Sequence, residues 1–158
     1  MSTRSFMRVD LNAPFPPRDD CVRSFALEDI PDLGDLMYRA YLDTVDYEGE
    51  TPDQAAEEVQ KTVRGEYGEF VPRCSMVAMR EGTLVSATLI TRYQNRPFVA
   101  FTFTDPRFTG HGLARAAMQA AMSELHAQGE QEVRLVVTLS NVPAVRLYRR
   151  LGFQLEQQ

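Results

Sequence analysis

One proline marks the change of pattern that most constrains this chain. Residues 98–104 read as a strand, with Val99, Phe101 and Phe103 expected on one face and smaller residues on the other. Asp105-Pro106-Arg107-Phe108 breaks that alternation, and Gly110 and Gly112 punctuate a turn. Leu113, Ala116, Ala117, Ala120, Ala121 and Leu125 then recur at helical spacing as far as Gly129. Residues 133–138 return as a β-branched strand. Strand, helix, strand in this order implies a right-handed crossover between parallel neighbours. Upstream, residues 75–80, 84–92 and 98–104 are joined by connections short enough for an antiparallel meander.

The remaining segments complete a mixed α/β reading. Residues 22–26 form a strand candidate. Glu28-Asp29-Ile30-Pro31 opens a helix carrying Leu33, Leu36, Met37, Ala40 and Tyr41 at helical spacing. An acidic loop, 43–50, follows. Thr51 then caps a second helix, with Pro52 at its first position, expected to stop at Gly68. Ser140 or Asn141 caps a last helix over 142–151, which Gly152 ends. The predicted architecture is a central mixed, mostly antiparallel sheet flanked by helices, in the order β-α-α-β-β-β-α-β-α with a short C-terminal strand. Residues 1–20, with Pro14, Pro16 and Pro17, read as an N-terminal arm holding a possible edge strand at 6–11. Residues 21–158 read as one domain, and a chain of 158 residues is long enough for a single core.

Composition removes several function classes. No apolar run reaches membrane-spanning length, and residues 1–12 lack the apolar stretch of a signal peptide, so a cytoplasmic protein without membrane association is expected. Cys21 and Cys74 lack metal-ligand or redox spacing and read as reduced thiols. A formal charge of −5 argues against nucleic-acid binding. His111 and His126 offer no metal or triad pair, and no metal is expected.

The glycine turn carries the first chemistry. Gly110 and Gly112 allow the backbone to approach a ligand closely, and the first amides of the following helix point outward beside its positive dipole end. A pyrophosphate suits such amides. A dinucleotide-binding turn would want glycine or alanine where Arg115 stands, which weakens the nicotinamide reading. A second motif runs from Asn141 through Tyr148 to Gly152-Phe153. Together the two resemble the GNAT superfamily of acyl-coenzyme A-dependent N-acyltransferases, and the order of elements matches over about residues 22–153.

The resemblance implies that acetyl-CoA or another short acyl-CoA is the co-substrate, and that a primary amine is acetylated by direct attack in a ternary complex. It places the pantetheine arm beside Thr102, Phe103 and Thr104, and the pyrophosphate on Thr109, Gly110, His111, Gly112, Leu113 and Ala114. Asn141 would meet the pantetheine or acyl region, and Tyr148 the thioester sulfur. Thr109 stands where the family's loop usually carries Gln or Arg; its hydroxyl and the nearby Arg107 are the substitutes. Tyr148 is the candidate general acid for the leaving thiolate. An ammonium of pKa about 10 must lose a proton before it attacks, so a base is needed. Strand 98–104 contains no acid, which leaves Asp105, Glu50, Glu48 and Asp46 as candidates, Glu50 also as part of the substrate cleft. The acceptor is expected to be a small-molecule or protein amine, and an acidic cleft would favour a cationic one. An acyl-CoA sensor without catalysis is the competing reading. Since few residues follow Phe153, residues 6–11 or a second subunit, as in a homodimer, are expected to cover the sheet edge.

Overall fold

The computed structural model describes residues 3–156; the ends of the spans expected at 1–2 and 157–158 lie outside the described residues. Its strands are β1 (Arg4–Asp10), β2 (Val22–Ser24), β3 (Glu69–Phe70), β4 (Met76–Arg80), β5 (Thr83–Tyr93), β6 (Arg96–Thr104), β7 (Glu132–Thr138) and β8 (Gln154–Leu155). Its helices are α1 (Ile30–Tyr41), α2 (Pro52–Arg64), α3 (Leu113–Ala127) and α4 (Val142–Arg150). One sheet carries all the strands in the order β2-β4-β5-β6-β7-β1-β8, with β3 on β5. Every pairing is antiparallel except β6 with β7. The mixed sheet and the helix order agree with the sequence reading.

The two faces of the sheet bury separate cores. On one, Leu113, Ala117, Met118, Ala121 and Leu125 of α3 pack over Met7, Val85, Ile90, Val99 and Leu135. On the other, Leu33, Leu36 and Met37 of α1 and Val59 of α2 pack over Val77, Ala87, Leu89 and Phe103. Each fully buried aliphatic or aromatic side chain contributes about 1.5–3 kcal/mol. Among the described residues, no helix is long and apolar enough to cross a membrane.

Three expectations need correction. Val99 does not share a face with Phe103: Leu89 pairs with Phe101 and Ile90 with Val99, so Ala100 is an extra residue on β6. That bulge reverses the alternation, sending Val99 to the α3 side and Phe103 to the α1 side. The second helix stops at Arg64, not near Tyr67, because Gly65 takes a left-handed φ of 90° and closes it. The N-terminal strand is not an edge strand. β1 pairs along its full length with β7, and Met7 and Arg8 pair with β8 on its other side. It occupies the place beside β7 on the side away from β6.

Arg134 pins this region. Its guanidinium is buried and bonds both oxygens of Glu156, at 2.8 and 3.0 Å, and Gln94 at 3.0 Å, while lying 4.3 Å from the centre of the Phe6 ring. The same residue carries the pairing between β7 and β6, through Phe98.

Candidate active site

The site begins where two parallel strands part. β6 and β7 pair at Phe98 and Arg134 and at no later residue, and the Ala100 bulge follows two residues on. The strands therefore diverge toward their C-terminal ends, leaving a cleft of about 1070 Å³ with Thr102 on one wall and Val136 and Thr138 on the other. The phase of β6 decides which of its backbone groups face this gap. The Asp105 amide donates to the Val85 carbonyl at 2.8 Å, so in the antiparallel alternation the backbones of Phe103 and Phe101 also bond β5. Thr102 and Thr104 then turn their N–H and C=O groups toward the gap. Their side chains meet their cross-strand partners on β5, Thr104 lying 2.8 Å from the Ser86 hydroxyl and Thr102 3.4 Å from that of Thr88. An exposed half-ladder of this kind accepts an extended amide-bearing arm by strand addition.

The glycine turn lies at the end of β6. Gly110 and Gly112 have φ of 84° and 78°, values that side-chain-bearing residues rarely adopt. A Cβ on either would meet no protein atom within 4 Å, so backbone conformation, not crowding, requires glycine there. Gly112 is the N-cap of α3 and no side chain caps the helix. Ala116 donates to the Gly112 carbonyl at 3.0 Å, which leaves the Leu113 and Ala114 amides ahead of it directed out of the helix end. The surrounding side chains are less available than the sequence suggested. Thr109 donates its hydroxyl to the Pro106 carbonyl at 2.9 Å, and the His111 amide donates to Phe108 at 3.3 Å. Arg107 is engaged with Asp105. The turn offers bare amides and a dipole, which fit a pyrophosphate without a long polar side chain to assist.

Asp105 is built as an anchor. It is 1% exposed, accepts from the Arg107 amide at 2.9 Å and its guanidinium at 2.9 and 3.2 Å, and pairs with Arg39 at 3.3 Å. The hydrogen bond from Arg107 holds its carboxyl near 2, below the usual carboxylate range. It is not among the residues lining the cleft. A carboxylate so stabilised is a weak base, and its place argues for shaping the turn.

The cleft, whose lining includes Thr102 but none of residues 105–114, is chemically distinct from the turn. All six tyrosines of the chain, Tyr38, Tyr41, Tyr47, Tyr67, Tyr93 and Tyr148, line it. So do the carboxylates of Asp46, Glu48, Glu50, Glu57, Glu58 and Glu66, against the cations Arg4 and Lys61. Tyr148 is 8% exposed, and burial, then the nearby Asp46 charge, raises its pKa, so the phenol keeps its proton at neutral pH. Burial, then Tyr148, does the same to Tyr41. Tyr67 is pushed up to about 12 by its hydrogen bond to Glu58 at 2.7 Å. Asn141 caps α4 through Oδ1, accepting from Ala144 at 3.3 Å, and its amide donates to Asp46 at 3.1 Å. Thr138 donates to the other Asp46 oxygen at 2.7 Å. Glu50 accepts from the Glu48 amide at 3.1 Å. Tyr148, Asn141, Thr102 and Glu50 are thus brought to one cleft. The gathering of tyrosines was not anticipated from the sequence, where they are scattered over three separate elements and two loops.

The sequence pattern of the Acetyltransferase (GNAT) family matches residues 35–153. The chain belongs to that family. Its fold resembles the GCN5-related N-acetyltransferase of Sphaerobacter thermophilus, with a TM-score of 0.73 at 20% identity over 97% of this chain and 48% of that one. It also resembles the PaiA N-acetyltransferase of Thermoplasma acidophilum in complex with coenzyme A, with a TM-score of 0.69 at 17% identity over 87% and 91% of the two chains. Curated relatives include the mycothiol acetyltransferase of Brachybacterium faecium, 34% identical over 84 residues, 50% of this chain and 25% of that protein. That of Catenulispora acidiphila is 45% identical over 49 residues, 31% of this chain and 16% of the relative. This chain therefore spans a quarter or less of the length of the curated GNAT relatives it matches.

Proposed function

We propose that this chain is an N-acetyltransferase that moves an acetyl group from acetyl-CoA to a primary amine carried by a cationic acceptor. The observation that supports this best is the parting of β6 and β7 between a bare helix N-terminus and Tyr148. The backbones of Thr102 and Thr104 hold the pantetheine arm, and the amides at 112–114 hold the pyrophosphate. When bound, acetyl-CoA supplies an activated acetyl thioester.

The chain's own residues then manage protons. Burial keeps Tyr148 as an O–H donor, aimed at the sulfur as the C–S bond breaks. The proton shed by the attacking nitrogen as the N–C bond forms restores the phenol or leaves through water. One amide, one thiol and, from an ammonium acceptor, one proton are the products. Six carboxylates around the acceptor end concentrate a cation there, and tyrosine faces add cation–π attraction of about 0.5–2 kcal/mol each. Glu50 serves the acceptor side of the cleft. The family and the cleft would equally accommodate a protein amine.

Thiol release from acetyl-CoA, measured against a panel of neutral, acidic and polycationic amines, tests the proposal. Cationic amines should release thiol fastest. A protein stabilised by coenzyme A, by about 2.7 kcal/mol at a hundred times Kd, but inert with every amine would be an acyl-CoA sensor and would overturn the enzymatic reading.

A further inference from the structure

The loop of residues 43–50 hangs between α1 and α2, yet one of its side chains is fastened to the far wall of the cleft. Most of its other side-chain bonds are local: Thr44 to the Tyr41 carbonyl, Tyr47 to the Glu50 carbonyl, Glu50 to the Glu48 amide. Asp46 instead reaches partners 92 and 95 residues away, the Thr138 hydroxyl that ends β7 and the Asn141 amide that opens α4. Each carboxylate oxygen takes one donor, at 2.7 and 3.1 Å.

We propose that Asp46 is a positioning residue for acetyl transfer, latching the 43–50 loop across the cleft onto Thr138 and Asn141 and so setting the acceptor end against Tyr148. This rests on the transferase reading above. The chemistry of the partners suits a carboxylate. Asn141 already commits Oδ1 to the Ala144 amide, so only its NH2 is left to face the loop. Thr138 is 7% exposed and donates as well. Two donors converging from the far wall are met at once by the two oxygens of a carboxylate. Asparagine at position 46 could keep both contacts if the Thr138 hydroxyl rotated to accept, but only as neutral hydrogen bonds. Charge-assisted bonds of this kind are about twice as strong as neutral ones. The latch joins the acceptor loop to Asn141, the residue that the family resemblance sets beside the pantetheine or acyl region. It thereby makes the placement of acceptor and acyl donor one mechanical unit.

Hydrogen exchange of the 43–50 amides and steady-state kinetics test this together. Asp46→Ala should speed loop exchange about tenfold, the worth of one charged hydrogen bond. Thr138→Val, approaching from the other wall, should shift it in the same direction by less. The double variant should add little to Asp46→Ala, because both remove one connection. Asp43→Asn, on the same loop but outside the cleft lining, should change nothing. With spermidine as acceptor, kcat should fall about tenfold in Asp46→Ala while KM for acetyl-CoA changes little, and Asp46→Asn should recover part of the loss. Unchanged exchange in both Asp46→Ala and Thr138→Val would overturn the latch. Faster exchange with unchanged kcat would reduce Asp46 to a structural tie and overturn its positioning role. A wild type that acetylates no amine would refute the transferase reading by itself, and exchange would then decide the latch alone.

Discussion

β7 has two edges with opposite treatment. Toward β1 it forms seven consecutive pairs, Arg4 with Thr138 through Asp10 with Glu132. Toward β6 it forms one, at Arg134. The full ladder satisfies the strand's polar groups along one edge and holds it still. The interrupted ladder leaves polar groups free along the other edge, where a ligand can complete the pairing. A strand can offer an open edge to a ligand only if something else fixes it, and β1 with the Arg134 pin does so here. Stability and binding are divided between the edges of a single element.

The largest effect should come from breaking the closed edge. Removing residues 3–10 strips β7 of its ladder and β8 of its partner, and cooperative thermal unfolding should be lost. A melting curve unchanged by this truncation would show that β7 is fixed from elsewhere. Next, Arg134→Ala removes the buried guanidinium from half-buried Glu156 and from Gln94 and should cost about 3 kcal/mol in denaturant unfolding. On the open edge, Tyr148→Phe should lower turnover about a hundredfold with coenzyme A affinity retained; equal loss of both would mean the phenol only packs. At the end of β6, Asp105→Asn should cost about 1–3 kcal/mol near neutral pH. Because the folded pKa of Asp105 lies below its ordinary 3.8, the wild-type advantage should be complete above that value and fade as pH falls through about 2. A gap between the two proteins that ignores pH would assign the effect to packing. Smallest of all, Thr109→Arg should tighten coenzyme A binding by about threefold to tenfold in calorimetry, since the turn lacks a charged side chain of its own.

The comparison also shows what a sequence displays and what it conceals. The turn at Gly110 and Gly112, the α3 spacing and the Asn141 cap were legible because each is local: positive φ, helical period and capping chemistry act within a few residues. The Ala100 bulge was not, because an inserted residue is defined by its partner strand, and Phe98–Thr104 alternates in either case. The place of β1 was legible only as a missing neighbour, since antiparallel pairing over more than a hundred residues leaves no period to read. Six tyrosines on one cleft were invisible for the same reason. For Asp105 the sequence offers two roles, base or turn former, and does not show Arg39, which approaches the carboxylate from α1.

The position of β1 has a consequence for synthesis on the ribosome. Among the described strands β1 is made before the others, and it must wait for Val133 and its neighbours, and then for Gln154, before it finds either partner. Until then its alternating apolar face, Met7 included, has no sheet to join, and the meander of β4, β5 and β6 must fold as a nucleus without it. Closing a loop of that length is a late step that limits the rate in chains dominated by such distant pairings. The residues around Gln154 therefore complete a strand made long before them, and a nascent chain that stalls short of Val133 carries β1 without a partner.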